Sequence, residues 1–506
     1  MYTHELINLL KTFTDKEMMW FLKFLKSPYF NNSVRITKLF QVLKRYYPDF
    51  DSKNFSKEAI FKGVYGKQPY NDSTFRNLMS DLLKLALIFL KQEGIEKNDV
   101  ESSFFLTTEL FNRGAYLLFR HQMDNNRESL KRKNKIDGDY FFNSYKIITD
   151  SFYVNLLTQK ILKKQYVVTE SEKMINGIVY ILSYFILETI KHNDNLLKYS
   201  RSYNIKKNID TVAQFLEIFN FEKLILYIRN NSSLKIPVIE VYYNLLKAFT
   251  NFEIENYYIE FKTSLLSNSK YLGLNDNNFL FSRLIDYCVL KMNRGMQTSF
   301  NIQLEIFELN EIYIKKGYYK TESNKHLQFD IYRNILLNCI AVKKLEYMEE
   351  FINIYSKKLL PKQVSGVENY SLALLFFEKR FFDKALMHLN KIKFDQFVFK
   401  IDMKNLQLKI NYELEYFESA ISIIDTYKHF LKNNVLISES RRILHNNFVN
   451  YTYNLIQFRT GSKKINLSYI SNKIDKSKNV FDKGWLLEKL NDQIGKKQIL
   501  KNDFNQ

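Results

Sequence analysis

The chain reads as an all-α protein in which a helical N-terminal domain is followed by paired helices. Three observations carry that reading. Its 506 residues include only 13 Gly and 5 Pro, too few turn formers for a many-hairpin β architecture or a collagen-like or Pro-rich chain. Apolar residues recur at steps of three and four along most of the sequence, the period that gathers them on one side of a helix. Late in the chain, one helical pattern returns at intervals of 34 and 35 residues. The expected parts are a helical domain over 1–96, a helical-repeat-like region over 97–323, helix-pair repeats over 324–460, and a basic tail with a terminal helix over 461–506.

The first part has clear punctuation. Thr14 and Glu17 form a capping box that opens a helix with Met18, Phe21, Leu22, Phe24 and Leu25 on its apolar side, and Pro28 closes it. Val34 to Tyr47 repeats the pattern through Ile36, Leu39, Phe40 and Leu43 before Pro48. Ser56 is placed to cap a short helix ending near Gly63 or Gly66. The next helix begins after Asp72 or Ser73, carries Phe75, Leu78, Met79, Leu82, Leu85, Ala86 and Phe89 inward, and is expected to stop at Gly94. Arg76, Asn77, Ser80, Lys84 and Lys91 fall on its polar stripe.

Between 97 and 300 the helical period persists with no strand signature. Breaks are expected at Gly138, His192 to Asn195, Asn230 to Pro237 and Asn275 to Asn278. A long stretch from Leu106 to Lys135 ends in a cluster made of Arg127, Lys131, Arg132, Lys133 and Lys135. Cations at a helix C-terminus are favoured by the helix dipole, so the cluster reads first as a solvated helix end and second as a set of phosphate contacts.

Three segments, 346–358, 380–392 and 415–427, align with Phe351, Ala385 and Ala420 in register. Each repeats apolar residues three before, one after and four after that position, which makes one helix side, and each follows another amphipathic helix. In the middle unit, Leu372, Ala373, Phe376 and Ala385 stand at spacings that resemble a tetratricopeptide repeat, with Ala373 and Ala385 as the small residues where its two helices meet. The resemblance covers about residues 325–430 and implies an α-solenoid of stacked helix pairs with an extended interaction surface. Leu408 and Phe351 depart from the small-residue pattern.

The segment KEAIFKGVYGKQPYNDSTFRNLMSDLLKLA is similar to the later helices of the winged-helix domains of some bacterial regulators that carry helical repeats. That similarity implies groove-facing roles for Ser73, Arg76, Asn77, Ser80 and Lys84, although no β-hairpin wing follows Gly94.

The formal net charge of +21 invites a polyanion partner. Lys outnumbers Arg 59 to 16 and Ala occurs only 9 times, a composition that codon bias alone produces on solvated helix faces, and Arg is the residue best suited to bidentate phosphate contacts. Cys288 and Cys339 sit in apolar surroundings and read as core residues of a protein in a reducing compartment. No nucleotide-binding glycine loop, zinc-binding histidine motif or Cys-x-x-Cys pair occurs, and the seven histidines are scattered singly. The charged N-terminus lacks a signal-peptide pattern, and the uncharged run from Met174 to Leu187 is too short for a membrane span. The expectation is a cytoplasmic, non-catalytic scaffold or adaptor, with no cofactor or metal, that binds a protein or peptide on its helical-repeat surface. The alternative is a nucleic-acid-binding transcriptional regulator that uses Arg76, Asn77, Ser80, Lys84 and the 127–135 cations.

Overall fold

The structure is a computed structural model and describes residues 4–50, 55–97, 99–133, 135–158, 164–203, 214, 218–231, 237–321, 324–392, 397–434, 437–461, 465–477 and 479–503. Among the described residues there are 23 α-helices, packed mostly in successive pairs, and no strand. The chain sorts into two compact units, Met1–Tyr242 and Tyr243–Gln506.

The first unit opens with α1 (Glu5–Leu10), α2 (Asp15–Lys26), α3 (Val34–Lys44), α4 (Lys57–Tyr65) and α5 (Asp72–Lys97). Local chemistry sets their ends. The Thr14 backbone N–H donates to Glu17 at 2.8 Å while Thr14 Oγ1 accepts from the Glu17 backbone at 3.2 Å, which satisfies two otherwise orphaned donors. Ser33 and Ser56 cap α3 and α4, and Gly66 ends α4 with φ 71°. Helices α1, α2 and α3 all pack on α5, and their apolar sides merge into one core around Phe21, Phe40, Phe75 and Phe89. The helix expected to stop at Gly94 runs on to Lys97, because Gly94 keeps helical geometry in open space and no turn residue follows it.

From there α6 (Asp99–Asn112), α7 (Tyr116–Lys133), α8 (Gly138–Thr158), α9 (Lys164–Tyr203) and α10 (Phe221–Asn231) each pack on the one before. The stretch expected to be continuous from Leu106 is cut at Gly114, where φ is 69° and the Ala115 N–H reaches back to the Leu110 carbonyl at 2.9 Å. The break expected at His192 to Asn195 does not occur, and α9 passes straight through it. Tertiary packing of Val179, Ile186, Leu187 and Ile190 overrides the weak helix propensity of those polar residues. Within α9 the window Lys164–Leu197 has the length and mean hydropathy to cross a membrane. Its Val179, Ser183, Ile186 and Leu187 are wholly buried in the unit, while Val167, Val168, Ile175 and Ile178 are exposed. The break near Asn230 to Pro237 falls where α10 ends and α11 (Pro237–Thr250) begins, with residues 232–236 outside the described residues.

The second unit continues through α12 (Glu255–Asn268), α13 (Leu274–Asn293), α14 (Ile302–Lys315), α15 (Phe329–Ala341), α16 (Leu345–Tyr355), α17 (Pro361–Glu378), α18 (Phe382–Leu389), α19 (Phe397–Glu413), α20 (Phe417–Asn433), α21 (Glu439–Arg459), α22 (Leu467–Lys476) and α23 (Lys483–Asp503). Asn275, Asp276, Asn277 and Asn278 lie in the first turn of α13 instead of in a loop. The Asn277 side chain donates back to the carbonyls of Ser269 and Gly273 at 3.0 and 3.1 Å, so the polar cluster serves a helix start. From α12 to α21 each helix packs on the next, and α17 also touches α19.

Three helix pairs repeat one turn. Lys343, Arg380 and Glu415 take positive φ of 58°, 62° and 61°, and the next backbone N–H donates to the carbonyl five residues back, Lys344 to Cys339, Phe381 to Phe376 and Tyr416 to Asn411. This is a Schellman turn held at the same place in each pair. It corrects the register, because Met348 and not Phe351 stands with Ala385 and Ala420, at spacings of 37 and 35 residues. All three are fully buried. Counting back from each turn, Leu336, Ala373 and Leu408 occupy the facing position. The pair with two alanines, α17 and α18, has the most extensive helix contact, the pair with one alanine is next, and the pair with none is last. Small side chains at the crossing let the backbones approach.

The segment expected as a tail also folds. Leu467, Ile470 and Ile474 of α22 and Trp485, Leu486 and Leu490 of α23 are buried, and α23 packs on both α21 and α22.

Candidate functional site

Among the described residues of the second unit lies a cavity of about 590 Å³. Its floor comes from the first helix of each pair: Leu337 and Ile340 of α15, Leu374 and Phe377 of α17, and Leu406 of α19. The second helices α16 and α20 contribute nothing to it, and α18 only Phe382. Its far wall is the start of α23 with the preceding Phe481 and Asp482. The volume lies in the range of ligand and side-chain pockets, and the mixture of apolar floor with a few aimed polar groups is the composition such sites share.

Charges cross the cavity in pairs. Arg333 grips Asp402 with two guanidinium nitrogens, one at 2.7 Å. Burial works against the Arg333 charge, but the Asp402 carboxylate holds its pKa above the ordinary value. Burial, with Asp402 alongside, pushes the Tyr370 hydroxyl far up, so it stays neutral. Lys409 binds Asp482, and its ammonium sits 4.5 Å from the centre of the Phe377 ring and 5.8 Å from that of Trp485. Lys489 meets Glu413 at 2.9 Å and Glu488 at 3.0 Å, and Arg380 meets Glu488 at 2.9 Å. Although burial opposes it, these two cations keep the Glu488 carboxyl below its ordinary range. Glu378 differs. Burial raises its pKa, and the neighbouring Asp482 and Glu488 add to the rise while Lys409 and Arg380 oppose it.

Trp485 locks the far wall. Its indole Nε1 donates to Glu413 at 2.8 Å and its ring meets Tyr412 edge-on at 5.3 Å. The strand of chain leading into α23 is tied to α21, with Phe481 N–H on the Leu444 carbonyl at 3.3 Å and Asn447 on the Asn479 carbonyl at 2.8 Å. Behind it, His445 packs on Phe481 at 4.9 Å. Burial, with Arg441 and Arg333 nearby, lowers the His445 pKa to about 4.

The residues singled out from the sequence do not converge. Ala373, Ala385, Ala420 and Phe351 are all buried packing residues. Ser73, Arg76, Asn77, Ser80 and Lys84 form one exposed stripe on α5, but Arg76 is paired with Asp72 at 3.0 Å and Lys84 with Asp81 at 2.9 Å. On α7, Arg127 is held by Asp124 at 2.7 Å and donates to Ser151 of α8 at 2.9 Å, while Lys131 pairs with Glu128 at 2.9 Å. Arg132 and Lys135 are exposed, and the Lys133 side chain lies outside the described residues. Gly63 and Gly66 sit on α4 and at its end. His388 stacks on Phe376 and bonds Asn369 at 3.0 Å.

Among the described residues no group of three or more His, Cys, Asp or Glu side chains is placed to hold a metal ion. One buried polar cluster has a packing role. Tyr258 donates to Glu305 at 2.5 Å, Lys262 pairs with Glu305 at 2.6 Å and the Cys288 thiol meets Tyr258 at 3.3 Å, tying α12, α13 and α14 together. Burial pushes the Cys288 and Cys339 thiols up to about 12, so both are neutral and unreactive.

No protein-family profile, curated protein or solved structure matches the chain.

Proposed function

We propose that the protein is a non-catalytic, cytoplasmic scaffold or adaptor that binds a protein segment along the first helices of its tetratricopeptide-like pairs. The observation that carries this reading is the cavity of about 590 Å³ on α15, α17 and α19. It combines an apolar floor with charged rims, the mixture that suits a peptide side rather than a small metabolite alone. Stacked helix pairs present one helix of each pair along a continuous surface, and the three Schellman turns keep those helices in step. The nucleic-acid reading draws less support, because Arg76, Lys84, Arg127 and Lys131 are each engaged by a carboxylate. In a pull-down from native cells, Leu337→Glu and Leu374→Glu remove the partner recovered with the unaltered chain. Recovery of the same partner by the Leu337→Glu/Leu374→Glu double variant sinks the proposal.

A further inference from the structure

The first unit leaves part of its apolar surface uncovered, and the uncovered side chains gather at one edge. Helices α6 and α7 join at the Gly114 turn, while α8 ends at Thr158 and α9 begins at Lys164. Hydrogen bonds place these helix ends side by side. Arg120, near the start of α7, donates to Thr158 at the end of α8, and Asn155 of α8 donates to Glu170 of α9 at 3.3 Å. On the adjoining ends Leu117, Leu118, Tyr153, Leu157, Val167 and Val168 are between 43% and 70% exposed. Single apolar residues at a surface are ordinary, whereas a group of large ones on two neighbouring hairpin ends marks an interaction site.

The charge around them has one sign. No Asp or Glu stands between Glu109 and Asp124 or between Asp150 and Glu170, while the same two stretches hold Arg113, Arg120, Lys160, Lys163 and Lys164. Arg113 and Lys164 are exposed, the former paired with Glu109 at 3.0 Å, and residues 160 and 163 lie outside the described residues. A second copy of the chain is a poor cover for this edge, because it brings like charges together. A nucleic acid satisfies the cations and leaves the leucines and valines unused. A surface that is negative at its face and apolar beneath matches both features, and the cytoplasmic leaflet of a membrane is such a surface. We propose that this edge of the first unit docks on an anionic phospholipid bilayer, with Leu117, Leu118, Leu157 and Val168 entering the headgroup layer and Arg113 and Lys164 meeting lipid headgroups. The contact is peripheral, since Val179, Ile186 and Leu187 keep the rest of α9 packed inside the unit. It goes beyond the scaffold reading, uses none of the residues of the second-unit groove, and stands or falls separately from it.

The test is co-sedimentation of the full chain with vesicles of phosphatidylcholine, alone or mixed with phosphatidylserine. The unaltered chain should bind the mixed vesicles at least about tenfold more tightly than the neutral ones, and added salt should weaken that binding. Leu117→Asp/Leu157→Asp should lose at least about tenfold on the mixed vesicles while melting like the unaltered chain. Leu226→Asp/Ile259→Asp makes the same charge change at exposed positions on α10 and α12 and should bind nearly as the unaltered chain does. In a Trp20→Phe background, Leu118→Trp keeps an apolar side chain at the edge and should add emission that shifts to the blue on the mixed vesicles. Equal binding by the two Asp variants would mean that the net charge of +21 alone holds the chain to the vesicle, and would overturn the inference. So would an absence of binding to the mixed vesicles, or a dimer of the unaltered chain that Leu117→Asp/Leu157→Asp dissolves.

Discussion

Replacing Lys343 with glycine should stabilise the second unit. Lys343 holds φ 58° at the turn between α15 and α16, a left-handed conformation that costs an L-residue about 1–2 kcal/mol. Glycine removes that strain but brings about 0.5–1 kcal/mol of extra backbone entropy in the unfolded chain. No ion pair is lost, since none is formed by Lys343 among the described residues. The difference leaves a gain of about 0.5–1 kcal/mol, or a rise of about 1–4 °C in melting temperature for a unit of this size. Urea unfolding of the full chain and hydrogen exchange of α15 and α16 read the effect, and the gain should stay near that turn. Arg380→Gly should gain less, because it also removes the ion pair to Glu488, whose side chains are 70% and 45% exposed and which is worth about 0–1 kcal/mol. Lys343→Val should lose stability, since a β-branched residue is least tolerant of positive φ. A loss of stability in Lys343→Gly, or the same change in the Gly and Val variants, refutes the turn assignment.

Ala385→Leu and Ala420→Leu each insert a larger side chain at a fully buried helix crossing and should cost about 1–3 kcal/mol, while Ala341→Leu, exposed at the end of α15, should leave the melting temperature nearly unchanged. His445 should make stability fall on acidification. Its folded pKa of about 4 lies below the ordinary 6.5, so the unfolded chain binds the proton first and stability is lost from about pH 6.5 down to about pH 4, by about 3 kcal/mol; His445→Gln should flatten that part of the stability profile. Cys288 and Cys339 are buried and neutral, so labelling by a thiol reagent at pH 8 should wait for unfolding, and fast labelling of the folded protein would contradict their place in the core.

Local chemistry was legible where a few neighbouring residues decide the outcome. Thr14 with Glu17, and Ser56 with Gly66, mark helix ends without help from the rest of the chain. The two glycines at 94 and 114 look alike in sequence, but one lies inside a helix and the other turns the chain. The repeat turns were hidden for a different reason. Their left-handed positions are filled by Lys343, Arg380 and Glu415 where glycine would have flagged them. Without that flag the first of the three repeats slipped by three residues, because Met348 and Phe351 lie on the same helix side and both are buried. The groove was not legible at all. Arg333 meets Asp402 from 69 residues away and Trp485 meets Glu413 from 72, and no spacing rule links residues that only the stacking of helices brings together. Residues 461–506, expected as a basic tail with a terminal helix, do end in a helix, and Ile474, Leu486 and Leu490 in them are wholly buried.

A photo-crosslinking amino acid at position 337, in the floor of the groove, tests the central proposal most directly when it is compared with one at the exposed Glu418 on α20. Irradiated in native cells, position 337 should give two products, an internal link across the cavity to residues 481–489 and a link to a partner protein. Position 418 should give neither. The same adducts at both positions, or a partner captured at 418 and never at 337, would contradict a binding groove on the first helices of the repeats.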